Sequence, residues 1–73
     1  MKIIIQIRGT VTYNAELTMT KGQYRQWCDR IDAAKGMEIN NAAHDLLEKA
    51  RLDLADPSDW GDLEVETFEP TRS

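Results

Sequence analysis

A chain of 73 residues with a formal net charge of −4 forms one domain, residues 1–73, with a thin core. So small a core leaves little room for a deep pocket, which argues against a self-contained enzyme. The negative charge disfavours binding to nucleic acid or to an anionic membrane, since both require cations on the protein. A lone cysteine forms no internal disulfide, and no apolar run suits a signal peptide or membrane span, so we predict a cytoplasmic protein.

The first part of the chain predicts a β-hairpin. Residues 2–8 are nearly continuously apolar and rich in isoleucine, which is typical of a central strand. After a turn at Gly9 and Thr10, polar and apolar residues alternate from Thr10 to Met19, the pattern of a strand with one buried face. The two strands are close enough in sequence to pair with each other.

A first helix follows the hairpin. Thr20 and Gln23 match a capping box, and Lys35-Gly36 is a favourable helix end. Between them, apolar residues fall on one helical stripe. The stripe consists of Tyr24, Trp27, Cys28 and Ile31.

A second helix is predicted to begin near Asn40 or Asn41, because asparagine is a good N-cap. It ends by Asp56-Pro57, since proline disfavours a helical residue before it. The loop of residues 57–62 leads to a third strand, Leu63–Phe68, and we expect residues 69–73 to form a frayed tail.

The element order is therefore ββααβ, an α+β fold in which two helices cover one face of a three-stranded sheet. We prefer strand order 2-1-3, because the first strand is the most apolar. A helical hairpin reverses the chain twice, so we expect the third strand to run parallel to the first. Within the third strand, alternation places Leu63, Val65 and Thr67 on one face and Glu64, Glu66 and Phe68 on the other.

Charge is unevenly distributed along the chain. Residues 1–51 contain six acids and eight bases, whereas residues 52–71, which we call the acidic segment, contain seven acids and no base. Such a segment is either a solvated surface that keeps a small protein in solution or a surface for a cationic partner. The acids are Asp53, Asp56, Asp59, Asp62, Glu64, Glu66 and Glu69.

Strand geometry favours a binding role for these carboxylates. Side chains two residues apart on a strand lie about 6.6 Å apart, so Glu64 and Glu66 form a short row, comparable in spacing to neighbouring phosphates. The aspartates of the acidic segment extend the row through the loop. Trp60 in the same loop is predicted either to anchor a contact or to cap the open end of the core. We therefore predict a partner-binding site made of the seven acids and Trp60.

The hairpin from Ile3 to Met19 and the acidic stretch from Asp53 to Glu69 resemble small acidic α/β proteins of phages and mobile elements, among them anti-CRISPR and anti-restriction proteins. That resemblance implies a non-enzymatic inhibitor acting in the host cytoplasm. It also implies DNA mimicry, in which the acidic surface occupies the basic nucleic-acid site of an immune complex. The implied partner is a protein with a basic surface, and no cofactor or metal is expected.

Two alternatives remain open. The first helix carries four cations that could bind nucleic acid, although acids interrupt them. These cations are Lys21, Arg25, Arg30 and Lys35. The other alternative is an oligomerising or scaffold module, because each free edge of a three-stranded sheet can pair with another copy. We therefore expect a monomer or a homodimer.

Cys28 and His44 are a weak nucleophile-and-base pair, since Cys28 lies on the apolar stripe.

Overall fold

The computed structural model describes residues 1–71 and confirms the order ββααβ. A short 3₁₀ turn, Pro57–Gly61, lies in the connection between the second helix and the third strand. No helix within residues 1–71 is long and apolar enough to cross a membrane. The elements are β1 (Lys2–Arg8), β2 (Thr12–Thr18), α1 (Lys21–Ala33), α2 (Met37–Lys49) and β3 (Glu64–Pro70).

The isoleucine strand is central, and the sheet has the predicted order β2-β1-β3. The expected parallel orientation of the third strand is wrong, because β3 runs antiparallel to β1. After α2 ends, the chain runs back along this helix towards its N-terminal half before β3 begins. The side chain of Asn40, in the first turn of α2, contacts the backbone of Trp60 and Leu63. This extra reversal inverts the direction of β3.

A β-bulge in β3 changes which residues face the core. Ile5 of β1 pairs with Phe68, but Ile7 pairs with Val65, so Glu66 is the additional residue. Phe68 therefore turns towards the helices, and its ring stacks on Tyr24 with centroids 5.4 Å apart. The prediction that Phe68 shares a face with Glu64 and Glu66 is wrong, because simple alternation fails across a bulge.

Thr67 changes faces for the same reason. Its hydroxyl donates a hydrogen bond to Oε1 of Gln6 at 3.2 Å, on the face of the sheet away from the helices. The strand also extends further than predicted, since Glu69 and Pro70 belong to β3 and the backbone N–H of Thr71 donates to Lys2. The rest of the predicted tail, residues 72–73, lies outside the described residues.

Local signals place the start of α1 correctly but not the ends of α2. Thr20 and Gln23 form both hydrogen bonds of the predicted capping box. α2 begins at Met37, not at Asn40 or Asn41, after Gly36 at φ +60°. It ends at Lys49, well before Asp56.

The core lies between the sheet and the helices. β1 supplies three fully buried isoleucines, and α2 supplies three of the six other residues of the buried cluster. Tyr24 and Trp27 of α1 pack at the edge of this core, on the side of β3. The buried apolar cluster consists of Ile3, Ile5, Ile7, Tyr13, Met19, Ala43, Leu46, Leu47 and Leu63.

Gly9 permits the closest approach between the hairpin turn and the rest of the domain. A Cβ atom at Gly9 would lie 2.9 Å from both Cγ of Asp59 and Cδ2 of Leu63. Because both neighbours are buried, neither can move aside without disturbing the core.

We expect Gly9→Ala to lower the free energy of unfolding by about 1–3 kcal/mol, the usual effect of overpacking. Gly22→Ala is the matched control, since its nearest neighbour would be Oγ1 of Thr20 at 3.9 Å. It should leave stability unchanged or raise it by up to about 1 kcal/mol, because alanine favours the helix. Urea unfolding followed by circular dichroism measures both. Equal stability of the two variants would contradict the close contact at Gly9.

Candidate functional site

The segment that follows α2 contains the most exposed aromatic side chain of the described residues. We call residues 56–62 the Trp60 loop. It begins at Asp56, whose side chain accepts a hydrogen bond from the backbone N–H of Ser58 at 2.9 Å, and Pro57 occupies the first position of the 3₁₀ turn. These two residues define the start of the turn locally, and contacts with the rest of the domain hold its other end.

Asp59 attaches the Trp60 loop to the β-hairpin. Its side chain is only 1% exposed. Oδ1 accepts from the backbone N–H of Thr10 at 2.8 Å, while Oδ2 accepts from the hydroxyls of Thr10 at 2.9 Å and Tyr13 at 2.7 Å. The Tyr13 hydroxyl in turn accepts from the backbone N–H of Ala55 at 2.8 Å. One buried carboxylate thereby joins the hairpin turn, β2 and the loop.

This arrangement favours an ionised Asp59 beside a neutral Tyr13. The hydrogen bond from Tyr13 holds the pKa of Asp59 below its usual 3.8, and the two bonds from Thr10 act in the same direction, although burial opposes them. The same bond to Asp59 is the main reason that the pKa of Tyr13 rises above its usual 10.0. These hydrogen bonds therefore favour the charged carboxylate, and no cation within residues 1–71 forms a salt bridge with it.

Asn40 attaches the other end of the Trp60 loop to α2. Its side chain is 5% exposed; Nδ2 donates to the carbonyl oxygen of Trp60 at 2.8 Å, and Oδ1 accepts from the backbone N–H of Leu63 at 3.1 Å. The same Trp60 carbonyl lies 2.8 Å from Nε2 of His44, which must donate because a carbonyl oxygen only accepts. The backbone on both sides of the Trp60 side chain is therefore fixed.

The Trp60 side chain itself points to solvent and is 69% exposed, so it does not cap the core. Its ring lies against the ring of His44, with centroids 4.5 Å apart. Beside it lies an open groove of about 1080 Å³. The groove also contains Met37, which is 64% exposed, and charged residues of both signs such as Arg51 and Asp53.

The structure separates the predicted partner-binding residues into three groups. Asp59 is buried and so does not contribute to a contact surface. Glu64 and Glu66 lie on the face of the sheet away from the helices, where Arg8 bridges them at 3.5 and 3.1 Å. The third group is exposed and forms no salt bridge within residues 1–71. It consists of Asp53, Asp56, Asp62 and Glu69.

Glu69 lies apart from the other members of this third group. It is near the far end of β3, about 20 Å from Asp62 at the usual rise per strand residue. There it pairs with Ile4 of β1, across from Glu16 of β2. Asp53 lines the groove beside Trp60, while Asp56 and Asp62 flank Trp60 along the loop; we call these three residues with Trp60 the acidic loop surface.

The residues that position this surface were not predicted. Asn40 was read as a helix N-cap and Asp59 as an exposed acid, because asparagine and aspartate are common in both roles. The signal that identifies Asp59 is its spacing, since a 3₁₀ turn of about three residues directs the side chains of Asp59 and Trp60 about 120° apart, so that one can be buried while the other is exposed. That signal is usable only once the turn is known.

Comparisons with protein-family models, with curated proteins and with solved structures found no match for this chain. Within residues 1–71, no group of three or more His, Cys, Asp or Glu side chains is arranged to hold a metal ion. The site is therefore described by its own geometry alone.

Two of the other candidate residues, Cys28 and Arg30, have structural contacts. Cys28 is half-buried next to Tyr24, and its thiol raises the pKa of the tyrosine above its usual 10.0. Arg30 forms a 2.7 Å salt bridge with Asp45 and lies 5.1 Å from the centre of the Trp27 ring, so this cation of α1 is already paired.

Acid should weaken the fold through Asp59. Because its pKa is lower in the folded state, its contribution to stability is present above pH 3.8 and is lost as the pH falls through the folded-state value. Asp59→Asn should therefore destabilise the protein at pH 7, and its difference from wild type should shrink below about pH 4. Asp56→Asn is the control, since asparagine caps equally well. Urea unfolding from pH 7 to pH 3 measures this difference, and a constant difference would contradict the assignment.

Loss of the Asn40 amide should release the loop. We expect Asn40→Ala to lower the free energy of unfolding by about 1–3 kcal/mol, because Trp60 and Leu63 lose buried partners. Asn41→Ala, one residue further on the exposed face of α2, should change it by less than about 0.5 kcal/mol. Hydrogen exchange should show faster exchange of the Leu63 amide only in Asn40→Ala. Equal exchange in both variants would show that Asn40 does not hold the loop.

Proposed function

We propose that this protein works by binding, and that the acidic loop surface docks on a cationic surface of a protein partner. The observation that supports this proposal is an indole that is 69% exposed on a backbone that is hydrogen-bonded on both sides. Tryptophan is among the residues that contribute most to protein interfaces, because one side chain covers a large area at low cost in conformational entropy.

The fixed backbone strengthens the argument for binding. Association is opposed by the ordering of loops and side chains, so a loop that is ordered beforehand loses less entropy when a partner binds. Asp59 and Asn40 order the Trp60 loop through buried hydrogen bonds, and Trp60 makes no comparable contribution to the core. The Trp60 loop is therefore already ordered in the folded protein, so binding loses little further entropy in the loop.

The charge around Trp60 defines the kind of partner. Asp53, Asp56 and Asp62 are exposed, and the ionised Asp59 lies behind them, so every charged side chain of the Trp60 loop is negative. A negative surface accelerates encounter with a cationic partner and disfavours anionic ones. Arginine-rich sites would pair with the carboxylates, while an apolar or aromatic recess would receive the indole.

The more specific form of the proposal is inhibition by DNA mimicry. A nucleic-acid site binds phosphates through cations and bases through stacking, and the acidic loop surface offers carboxylates and an indole to the same two features. The resemblance to anti-CRISPR and anti-restriction proteins supports such a site on an immune complex in the host cytoplasm. Glu64 and Glu66 contribute less in this proposal, because Arg8 already neutralises part of their charge.

A partner captured from bacterial lysate and then purified allows a direct test. Trp60→Ala should weaken its binding by about 30-fold or more, the effect of losing an interface anchor. Asp56→Lys/Asp62→Lys should weaken binding and reduce its salt dependence. Asp29→Lys/Asp32→Lys makes the same change in net charge on α1 and serves as the control. Calorimetry at several salt concentrations measures all four proteins.

Two outcomes would refute the docking surface. One is unchanged affinity of a folded Trp60→Ala variant, and the other is an equal loss in both double variants, since net charge alone would then explain binding. For DNA mimicry, the wild-type protein should displace a labelled DNA duplex from the partner in a filter-binding assay. If the partner bound the DNA duplex and this protein at the same time, the docking surface would still be supported, but DNA mimicry would be excluded.

A further inference from the structure

The free edge of β2 carries an unused row of backbone hydrogen-bonding groups. Met1 and Met19 exchange two hydrogen bonds, at 2.8 and 2.9 Å, which fixes the alternation of the β1–β2 ladder. Odd-numbered residues of β2 therefore bond to β1, and even-numbered residues direct their N–H and C=O groups outwards. No hydrogen bond within residues 1–71 uses those outward groups. They belong to Thr12, Asn14, Glu16 and Thr18.

The edge of the sheet formed by β3 is protected against the addition of another strand, whereas the edge formed by β2 is not. β3 contains Pro70, which lacks an N–H group, and the bulge at Glu66, and both features discourage the addition of another strand. β2 has no proline, glycine, bulge or lysine. Its one charged residue, Glu16, is paired with Lys2 at 3.6 Å.

The apolar face of β2 is also incompletely covered. Ala15 and Leu17 remain half-buried, whereas their neighbours on β1, Ile5 and Ile3, are at most 1% exposed. The aromatic rings of α1 lie over β3, at the opposite edge of the sheet, where they pack against Phe68. A strand added to β2 would therefore bury apolar surface as well as satisfy backbone groups.

We propose that β2 pairs antiparallel with β2 of a second copy of this chain, which joins two sheets into one of six strands. A two-fold axis through Ala15 sets Thr12 opposite Thr18 of the second copy and Asn14 opposite Glu16 of the second copy. All the outward groups of both strands then bond, in about eight hydrogen bonds. On the apolar face, Tyr13 lies opposite Leu17 of the second copy.

The register of this pairing is specific. A shift by two residues in one direction brings the two copies of Glu16 together, and a shift in the other direction pairs Asn14 with itself. Either shift leaves an outward residue of each strand unpaired. All three registers are symmetric, as homodimer interfaces usually are, but only the register centred on Ala15 pairs amide with carboxylate, Asn14 with Glu16. This self-complementarity favours a second copy over an unrelated strand.

Sedimentation equilibrium of the full chain tests the dimer. The wild-type protein should be dimeric, and Asn14→Glu should raise the dimer dissociation constant about tenfold, because it sets two carboxylates face to face twice in each dimer. The exchange variant Asn14→Glu/Glu16→Asn restores unlike neighbours and should recover most of the affinity. Gln6→Glu adds the same charge to the same face on β1, away from the edge, and should have little effect.

Hydrogen exchange provides a readout that does not depend on these variants. The amides of Asn14 and Glu16 should exchange slowly at high protein concentration and fast on dilution. A wild-type protein that is monomeric at millimolar concentration would refute the proposal. So would a dimer that a folded Asn14→Glu variant retains with unchanged affinity, since it would use another surface. Trp60→Ala should leave the dimer intact, so this proposal and the acidic loop surface fail or hold separately.

Discussion

One buried carboxylate determines how the two ends of this chain meet. A charged group inside a protein is tolerated only when hydrogen-bond donors replace the water that it loses. Asp59 receives its donors from Thr10 and Tyr13, far away in the sequence, so the 3₁₀ turn can form only against the hairpin. Gly9 then has to be a glycine, because Asp59 and Leu63 occupy the space of its missing side chain. The position of Trp60, the next residue, follows from these contacts.

Patterns that depend on neighbouring residues were predicted well, and features that depend on distant contacts were not. Alternation in β2 and the capping box of Thr20 and Gln23 are local, and both predict the observed structure. The direction of β3 depends on Asn40, whose bonds to the chain twenty residues later draw the connection back along α2. The bulge at Glu66 likewise arises from pairing with β1, and one additional residue was enough to turn Phe68 into the core.

The sequence shows how many acids the acidic segment contains, but it does not show that these acids lie in different environments and have different contacts. Asp59 is an internal hydrogen-bond acceptor, Glu64 and Glu66 share Arg8, and the other four acids are exposed and form no salt bridge within residues 1–71. The predicted row of carboxylates was based on the rule that side chains two residues apart lie on the same face of a strand. Arg8 lies opposite that row because it belongs to the adjacent strand of the same sheet, a neighbour that a list of charges along the chain does not reveal.

A small core makes individual residues serve several contacts at once, and Tyr13 is the clearest case here. Its ring belongs to the apolar cluster, its hydroxyl donates to Asp59 and accepts from Ala55, and its backbone bonds β2 to β1. Tyr13 therefore links the two proposed surfaces without belonging to the first, since it orders the Trp60 loop and lies on the strand whose free edge is proposed to pair with a second copy. In a larger domain, separate residues would make the core contact, the hydrogen bonds to the loop and the strand pairing. In a chain of 73 residues there are too few buried positions for that division, so β2, the strand with the free edge, also holds the Trp60 loop in place.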